Sequence, residues 1–327
     1  MIPVDQALAQ VLALARLMPV EQVPLAASAG RWLAEPVLAR LDQPPFDASA
    51  MDGYALRGPA PAGAQFQVIG EAGAGHGFTG QIGEGEALRI FTGAPVPQGA
   101  SHVALQEDVA RTGDQITLTQ PVEKTNIRPR GDDFALGQAF GPRRLGPHDL
   151  GLLAAMNIAH LPLRRRPELA LLTTGDELVM PGEVPRPDQI IASNAFALKA
   201  LIEAEGATAR LLPIARDSEA SLSAAFDLAE GADIVVTIGG ASVGDHDVVA
   251  RLAPRLGLSL AFHKIAMRPG KPLIAGHFRG VPLLGLPGNP VSALVCAHLF
   301  LLPLIRASLG DPAPEPRMRQ GVLGCDT

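Results

Sequence analysis

The chain has 327 residues, of which 47% are hydrophobic, and this size suits two or three domains that each bury a core. Its formal net charge of -6 argues against a protein that binds nucleic acid or another polyanion. The 2 cysteines are too few for a disulfide framework. The N-terminus lacks the basic region of a signal peptide, and the longest apolar run, residues 291–305, is too short to cross a bilayer. We therefore expect a soluble protein of the reducing cytoplasm, with no nucleic-acid or membrane partner.

The first half of the chain passes from one helical pattern into a turn-rich stretch. Residues 4–18 have helical periodicity. From Pro44 to about Gly146 glycine and proline are frequent, and no long helix is indicated. Four short runs in that stretch are typical of β-strands: 66–70, 87–92, 102–106 and 115–119. We expect residues 44–135 to form an inserted, mainly-β domain, and residues 1–43 and 136–166 to form a linker domain around it.

The second half alternates strands and helices. The predicted strands are 168–173, 210–214, 234–238, 259–265, 272–277 and 281–286, and the predicted helices are 193–205, 219–230, 246–256 and 290–305. Ser193 or Asn194 is the expected N-cap of the first of these helices, and Gly206 its C-terminal stop. The alternation predicts a three-layer α/β domain with a mainly parallel sheet over residues 167–310. Residues 311–327 are proline-rich and would form a flexible tail.

A glycine loop follows the apolar strand 234–238. The loop has the sequence GGASVG over residues 239–244, and Asp245 and Asp247 come directly after it. Glycine loops at the carboxyl ends of parallel strands bind phosphates. Two aspartates beside a phosphate would repel it unless a divalent cation lay between them. A tight turn before a helix N-cap explains the same residues, and the segment alone does not decide between the two.

Three other loops follow strand ends in this half. In residues 286–290, Asn289 is the expected N-cap and Pro290 the first helical residue, so capping alone would explain the motif. Residues 264–272 hold three cations in a glycine-proline turn, which suits one anion but also a solvated hairpin tip. Residues 174–177 place carboxylates after the first strand. Together the loops predict a site for an anionic substrate and a divalent metal at one edge of the sheet.

Three segments of the β domain combine turns with polar groups. They are PPFDASAMDGYA at 44–55, FTGAPVP at 91–97 and IRPRGDD at 127–133. Taken singly, each is explained by an ordinary turn.

Seven motifs together carry a family resemblance. In chain order they are PPFDASAMDGYA, FTGAPVP, IRPRGDD, TTGDEL, GGASVGDHD, AMRPGKP and LPGNP. Their order and approximate spacing resemble those of the MoeA-type molybdopterin molybdenumtransferases and of the gephyrin E domain, from Pro3 to about Leu309. The resemblance implies an elongated homodimer built from a linker and dimerisation domain, an inserted β domain, and an α/β domain similar to the molybdopterin adenylyltransferases.

The resemblance also implies a reaction. The family cleaves adenylylated molybdopterin with Mg²⁺, inserts molybdate into the dithiolene and releases AMP, and a molybdopterin adenylyltransferase would be the upstream partner. The catalytic residues that it implies are Asp52, Thr92, Asp133, Glu177, Asp217, Asp247, Lys264, Arg268 and Lys271. The implied residues that bind the pterin nucleotide are Gly239, Gly240, Ser242, Gly244, Pro287, Gly288, Asn289 and Pro290. The implied metal ligands are Asp245 and Asp247.

These residues have different implied roles. Asp52, Thr92 and Asp133, on the β domain, would lie in a cleft that faces the partner's α/β domain. The cations would hold phosphate or molybdate, and the glycine loop with Ser242 would cradle the pterin phosphate. Asp217 has an alternative role as a helix cap, because it directly precedes a predicted helix.

The chain departs from the family pattern in two places. Arg268 stands where the family often has lysine, which keeps the charge but exchanges a point charge for a planar fork. Family members also continue into a C-terminal β domain, of which residues 311–327 would be the start. Two alternatives to molybdate insertion therefore stay open: a paralogue that binds a pterin or nucleotide without completing insertion, and a gephyrin-like scaffold protein.

Overall fold

The computed structural model describes residues 1–240, 257–316 and 321. The helices in this part of the chain are α1 (Val4–Leu12), α2 (Pro147–Ala155), α3 (Asn194–Ala204), α4 (Glu219–Asp227) and α5 (Pro290–Leu309). The strands are β1 (Val20–Pro24), β2 (Val37–Leu38), β3 (Ala48–Ser49), β4 (Gly53–Leu56), β5 (Gln65–Ala72), β6 (Glu86–Ile90), β7 (His102–Leu105), β8 (Val109–Thr112), β9 (Gln115–Leu118), β10 (Ile127–Arg128), β11 (Ala139–Phe140), β12 (His160–Arg164), β13 (Glu168–Thr173), β14 (Leu178–Val179), β15 (Ile190–Ile191), β16 (Thr208–Leu211), β17 (Ile234–Ile238), β18 (Leu258–Phe262), β19 (Ile274–Phe278) and β20 (Val281–Leu286). The helix predicted over 246–256 lies outside the described residues.

The regions on either side of the β domain in sequence are joined by strand pairing. β1 pairs with β12, and β2 pairs with β11, both antiparallel. A buried apolar cluster that includes Leu33, Phe140 and Leu153 fills the space between these strands and α2. The two chain segments therefore pack as one unit, and the exact domain boundaries stay a prediction.

Helix α1 packs on the α/β core and is shorter than the periodicity predicts. Its buried residues Ala7 and Val11 belong to the same apolar cluster as α3 and α5. Leu14 and Met18 are also buried, which explains the longer apolar pattern, but they lie beyond the helix end. The backbone N–H of Met18 donates to Ser308 O at 2.9 Å, which holds the segment after the helix against α5.

The β domain contains a six-stranded sheet with the order β7-β4-β6-β5-β9-β8. Its neighbouring strands are antiparallel except for β5 and β6, which run parallel. All four predicted strands are present, with ends that differ by at most about two residues. Strand β4 escaped prediction because its four residues are all buried, so no alternation of apolar and polar residues marks it.

The α/β region has a second six-stranded sheet, with the order β16-β13-β17-β20-β19-β18. The first four strands are parallel, and β19 and β18 complete the sheet as an antiparallel hairpin. Helices α1, α3 and α5 cover one face, and α4 covers the other. This is the predicted three-layer α/β arrangement with a mainly parallel sheet.

Helix α5 is a buried core helix. It is 20 residues long with a mean hydropathy of 1.8, so length and composition alone would suit a membrane span, and the expectation that the run is too short was wrong. Its most apolar window is 61% buried inside the protein, which is typical of a core helix. A π-turn over Ala297–Leu301 precedes Pro303, which has no N–H to complete the regular hydrogen-bond ladder.

Candidate functional site

Three parallel strands end side by side at one edge of the α/β sheet. Ile238 at the end of β17 pairs in register with Thr173 on β13 and with Leu286 on β20. The chain turns immediately after each of these residues, and Thr174 N–H donates to Ile238 O at 3.0 Å. A cavity of about 570 Å³ opens at this edge. We call it the strand-end cavity.

Seven of the implied catalytic and nucleotide-binding residues line the strand-end cavity. They are Glu177, Asp217, Gly239, Gly240, Gly288, Asn289 and Pro290. The cavity therefore brings together three of the four predicted loops, which lie far apart in sequence. Ser242, Gly244, Asp245 and Asp247 lie outside the described residues, so their predicted roles are untested.

The first glycine of the loop is needed by backbone packing. Gly239 has φ +84°, and a Cβ atom on it would lie 2.7 Å from Thr174 O. Its N–H donates to Leu286 O at 3.1 Å, which fixes the turn to the neighbouring strand. A side chain here would push the strand ends apart, so glycine is required whether or not a phosphate binds.

Two helix N-termini border the cavity. Asn289 Oδ1 accepts hydrogen bonds from the backbone N–H and hydroxyl of Ser292, at 3.1 and 3.3 Å, so the predicted cap of α5 is confirmed. At α3 Ser193 occupies the N-cap position, as predicted, but its side chain makes no capping hydrogen bond. Instead Asn194 Nδ2 donates to Gly288 O at 2.7 Å and ties the start of α3 to the loop before α5. Both helices direct the positive ends of their dipoles towards this edge, which favours anions.

Two acidic residues, Glu177 and Asp217, also contribute to this cavity. Asp217 lines the cavity, and its backbone N–H donates to Asp176 Oδ1 at 3.1 Å. The cap of α4 is Ser218, whose hydroxyl accepts from Ser221 N–H at 3.3 Å, so the alternative role of Asp217 as cap was wrong. Among the described residues, no group of three or more His, Cys, Asp and Glu side chains could hold a metal ion.

Arg216 was missed by the sequence analysis. Its Nη1 donates to the carbonyl oxygens of Gly175, Asp176 and Leu178, at 3.4, 2.9 and 3.2 Å. The guanidinium therefore fixes the loop that carries Glu177. A single arginine after a strand belongs to no pattern, and only the fold brings it to this loop.

The three predicted cations lie on the connection between β18 and β19. Ile274, at the start of β19, pairs with Gly285 near the end of β20, so this connection lies at the same sheet edge. None of Lys264, Arg268 and Lys271 lines the strand-end cavity. Their role as phosphate or molybdate ligands stays a prediction.

The three turn-rich motifs of the β domain lie next to one another. β3 pairs with β10, and on its other side Ser49 N–H donates to Ala94 O at 3.0 Å. The first motif is therefore held between the second and the third. The sequence did not predict this contact, because β3 and β10 have two residues each.

Asp52 and Thr92 form the tightest polar contact of this group. Asp52 Oδ1 accepts from both the backbone N–H and the hydroxyl of Thr92, at 2.7 Å each. These two hydrogen bonds, and then the positive charge of Arg89, lower the pKa of the Asp52 carboxyl. The two side chains are exposed, so the charge faces solvent.

Asp133 is held separately by an arginine. Arg128 donates to both Asp133 and Asp132, and these bonds raise the pKa of Arg128. Arg130, in the same loop, pairs with Asp42 at 2.6 Å. We call Asp52, Thr92 and Asp133 the β-domain cluster. None of its residues lines the strand-end cavity of the same chain.

Comparison with known proteins covers nearly all of the chain. The model of the MoeA N-terminal region (domain I and II) matches residues 2–157, and that of the probable molybdopterin binding domain matches residues 170–307. The molybdopterin molybdenumtransferase of Nostoc sp. is 38% identical over 299 residues, which cover 88% of this chain and 69% of the relative. That of Haemophilus influenzae is 37% identical, over 89% of this chain and 73% of the relative.

Solved structures agree with the sequence relatives. Two structures of the molybdopterin biosynthesis MoeA protein from Pyrococcus horikoshii superimpose with TM-scores of 0.84 and 0.81, at 34% and 29% identity. They cover 95% and 96% of this chain, and each match covers 81% of that protein's chain. The order of motifs, the two sheets and these likenesses give one answer: the chain belongs to the MoeA family of molybdopterin molybdenumtransferases, which act in molybdenum cofactor biosynthesis.

Proposed function

We propose that this protein inserts molybdate into adenylylated molybdopterin in an Mg²⁺-dependent reaction that releases AMP. The observation that supports this most is the strand-end cavity. It combines a glycine turn, two helix N-termini and two carboxylates in about 570 Å³. Cavities of about 300–1,000 Å³ are usual for small-molecule ligands.

The anionic part of the substrate binds on the wall formed by the helix N-termini. Backbone N–H groups and aligned helix dipoles favour phosphate without any cationic side chain. Gly239 and Gly240 both have positive φ, the backbone conformation of the tight turn that brings this loop to the cavity. Lys264, Arg268 and Lys271, at the same sheet edge, hold molybdate or a second phosphate.

The carboxylates of the cavity suit a magnesium ion. Mg²⁺ prefers oxygen ligands and is usually held by one or two carboxylates together with substrate phosphates. Glu177 and Asp217 supply such oxygens at the cavity lining. Asp245 and Asp247 follow in sequence as the predicted ligands. A bound Mg²⁺ would offset the negative charge on the phosphate that leaves as AMP.

The β-domain cluster completes the site from a second subunit. Asp52, Thr92 and Asp133 are exposed and pre-oriented by their own hydrogen bonds, yet they do not line the cavity of their own chain. A homodimer with a shared cleft would bring the two regions together. The protein would act in the cytoplasm, on a substrate made by a molybdopterin adenylyltransferase.

A direct experiment gives the purified chain adenylylated molybdopterin, Mg²⁺ and molybdate, and measures AMP. We expect AMP release that depends on molybdate, and a strong decrease in Asp217→Asn. Asp227→Asn, an exposed carboxylate at the end of α4, is the matched control and should leave the rate unchanged. Nucleotide binding without molybdate-dependent AMP release would replace this proposal by that of a binding paralogue.

A further inference from the structure

Arg89 holds the backbone beside Asp52. It lies on β6 opposite Tyr54 on β4, and its Nη1 donates to Gly53 O at 3.1 Å. Its Nη2 donates to Gln106 Oε1. The backbone N–H of Gln106 in turn donates to Asp52 O at 3.0 Å. Arg89 therefore fixes Gly53 directly and Asp52 through Gln106.

Two aromatic rings fix the guanidinium itself. Its central carbon lies 5.1 Å from the ring centroid of Tyr54 and 4.7 Å from that of Phe91. Both distances are within the range of cation–π attraction. The planar fork can stack and donate in two directions at once, which a lysine ammonium cannot do. Tyr54 directly follows Gly53, and Phe91 directly precedes Thr92. The stacked rings therefore lie beside both partners of the Asp52–Thr92 contact.

One cation and two carboxylates lie on the elements around Asp52. Arg89 is the cation that acts on Asp52, after the two Thr92 hydrogen bonds. On the neighbouring elements, Glu71 of β5 lies opposite Arg89 in the sheet, and Glu107 follows Gln106 in the turn after β7. Neither carboxylate contributes to the lowered pKa of Asp52, whereas Arg89 does. The arginine therefore has an electrostatic role as well as a geometric one.

We infer that Arg89 is a positioning residue of the active site, which holds the backbone around Asp52 so that its carboxyl stays bound to Thr92, without touching the substrate itself. The inference rests on the proposed function, because it concerns a residue of the β-domain cluster. A purely structural role would make Arg89 a stabiliser of β4 and β6 only. The positioning role and the structural role differ in whether the pKa of the Asp52 carboxyl changes when the charge of Arg89 is removed.

The test compares Arg89→Gln, Arg89→Lys and Arg111→Gln by two readouts. Arg111 is an exposed arginine on β8 of the same sheet and serves as the matched control. The first readout is an NMR titration of the Asp52 carboxyl, which needs no enzyme activity. We expect its pKa to rise in Arg89→Gln, to stay near the wild-type value in Arg89→Lys, and not to change in Arg111→Gln.

The second readout is the pH profile of molybdate-dependent AMP release. In Arg89→Gln the acid limb should move to higher pH, because Asp52 is protonated more easily, and kcat should fall about 10-fold or more, since small misplacements of reacting groups are costly. Arg89→Lys should keep the acid limb and lose part of kcat, with KM unchanged.

An unchanged pKa of Asp52 in folded Arg89→Gln would overturn the inference. If Arg89→Gln fails to fold, Arg89→Lys decides: a lower kcat at an unchanged unfolding midpoint supports positioning, and a wild-type kcat overturns it. Absence of AMP release by the wild type would refute the proposed function, while the carboxyl titration would still decide the role of Arg89.

Discussion

The strand-end cavity and the β-domain cluster are built in opposite ways. The cavity is shaped by backbone: strand ends in register, a glycine turn and two helix N-termini. The β-domain cluster consists of exposed side chains, held by hydrogen bonds such as those between Asp52 and Thr92. The first arrangement suits the binding of a large anion. The second suits the presentation of charged groups to a substrate that is bound in another part of the dimer.

The largest expected effect separates these two tasks. Asp52→Asn should lower kcat/KM for AMP release by about 100-fold, the size of effect that a misplaced reacting group produces. Binding of AMP, measured by calorimetry, should stay unchanged, because Asp52 does not line the cavity. Asp114→Asn, an exposed carboxylate in the turn between β8 and β9, is the control. An equal loss of AMP binding in Asp52→Asn would remove the distinction between the two regions.

A second comparison uses one glycine from each region. Gly239→Ala should lower the free energy of unfolding by about 3 kcal/mol, because it combines a positive φ with a Cβ atom 2.7 Å from Thr174 O. Gly93→Ala has a similar φ of +80° but meets nothing within 4 Å, so about 1 kcal/mol is expected. Denaturant unfolding measures both. Equal losses would show that the strand ends can move apart at little cost.

A third comparison uses two helix caps. Asn289→Ala and Ser218→Ala each remove a side chain that caps a helix, so each should lower the free energy of unfolding by about 1 kcal/mol. Asn289 lines the cavity and Ser218 does not. Asn289→Ala should therefore also weaken AMP binding, and Ser218→Ala should not. Parallel behaviour of the two variants in both measurements would argue against phosphate binding at the start of α5.

The smallest expected effect concerns pH. The hydrogen bonds from Thr92 lower the pKa of Asp52 in the folded protein. A carboxyl with a lowered pKa stabilises the fold above its unfolded pKa, and this contribution disappears as pH falls through the folded value. Thr92→Val removes the hydroxyl bond but keeps the backbone bond. It should be less stable than the wild type at neutral pH, and the difference should shrink in acid.

Unfolding curves across a pH series measure this effect, with Thr112→Val on β8 as the control. A difference between Thr92→Val and the wild type that is the same at neutral and acid pH would contradict the assignment to Asp52.

Local patterns predicted the elements that frame the cavity. Apolar runs marked β13, β17 and β20, and Asn289 with Pro290 marked the start of α5, because these features depend on neighbours in sequence. Parallel strands then place their following loops at one edge. Sequence patterns alone therefore group Glu177, Gly239 and Gly288 at one edge of the sheet.

The parts that sequence did not predict depend on contacts between distant segments. Arg216 and Arg89 act through carbonyl groups that no local pattern connects to them. β4 is buried on both faces and shows no alternation. The assignment of Asp217 as a cap failed because its neighbour Ser218 has the geometry that the helix requires. Long-range packing decided the first two of these cases, and local cap geometry decided the third.

Complementation between two inactive variants tests most directly whether the two regions form one site across subunits. Asp52→Asn alters only the β-domain cluster, and Glu177→Gln alters only the strand-end cavity. If the cleft is shared, half of the dimers formed after mixing and refolding equal amounts are heterodimers with one intact cleft, so about a quarter of wild-type AMP release should return. If each chain contains its own complete site, or if the regions do not act together, the mixture will stay as inactive as either variant alone.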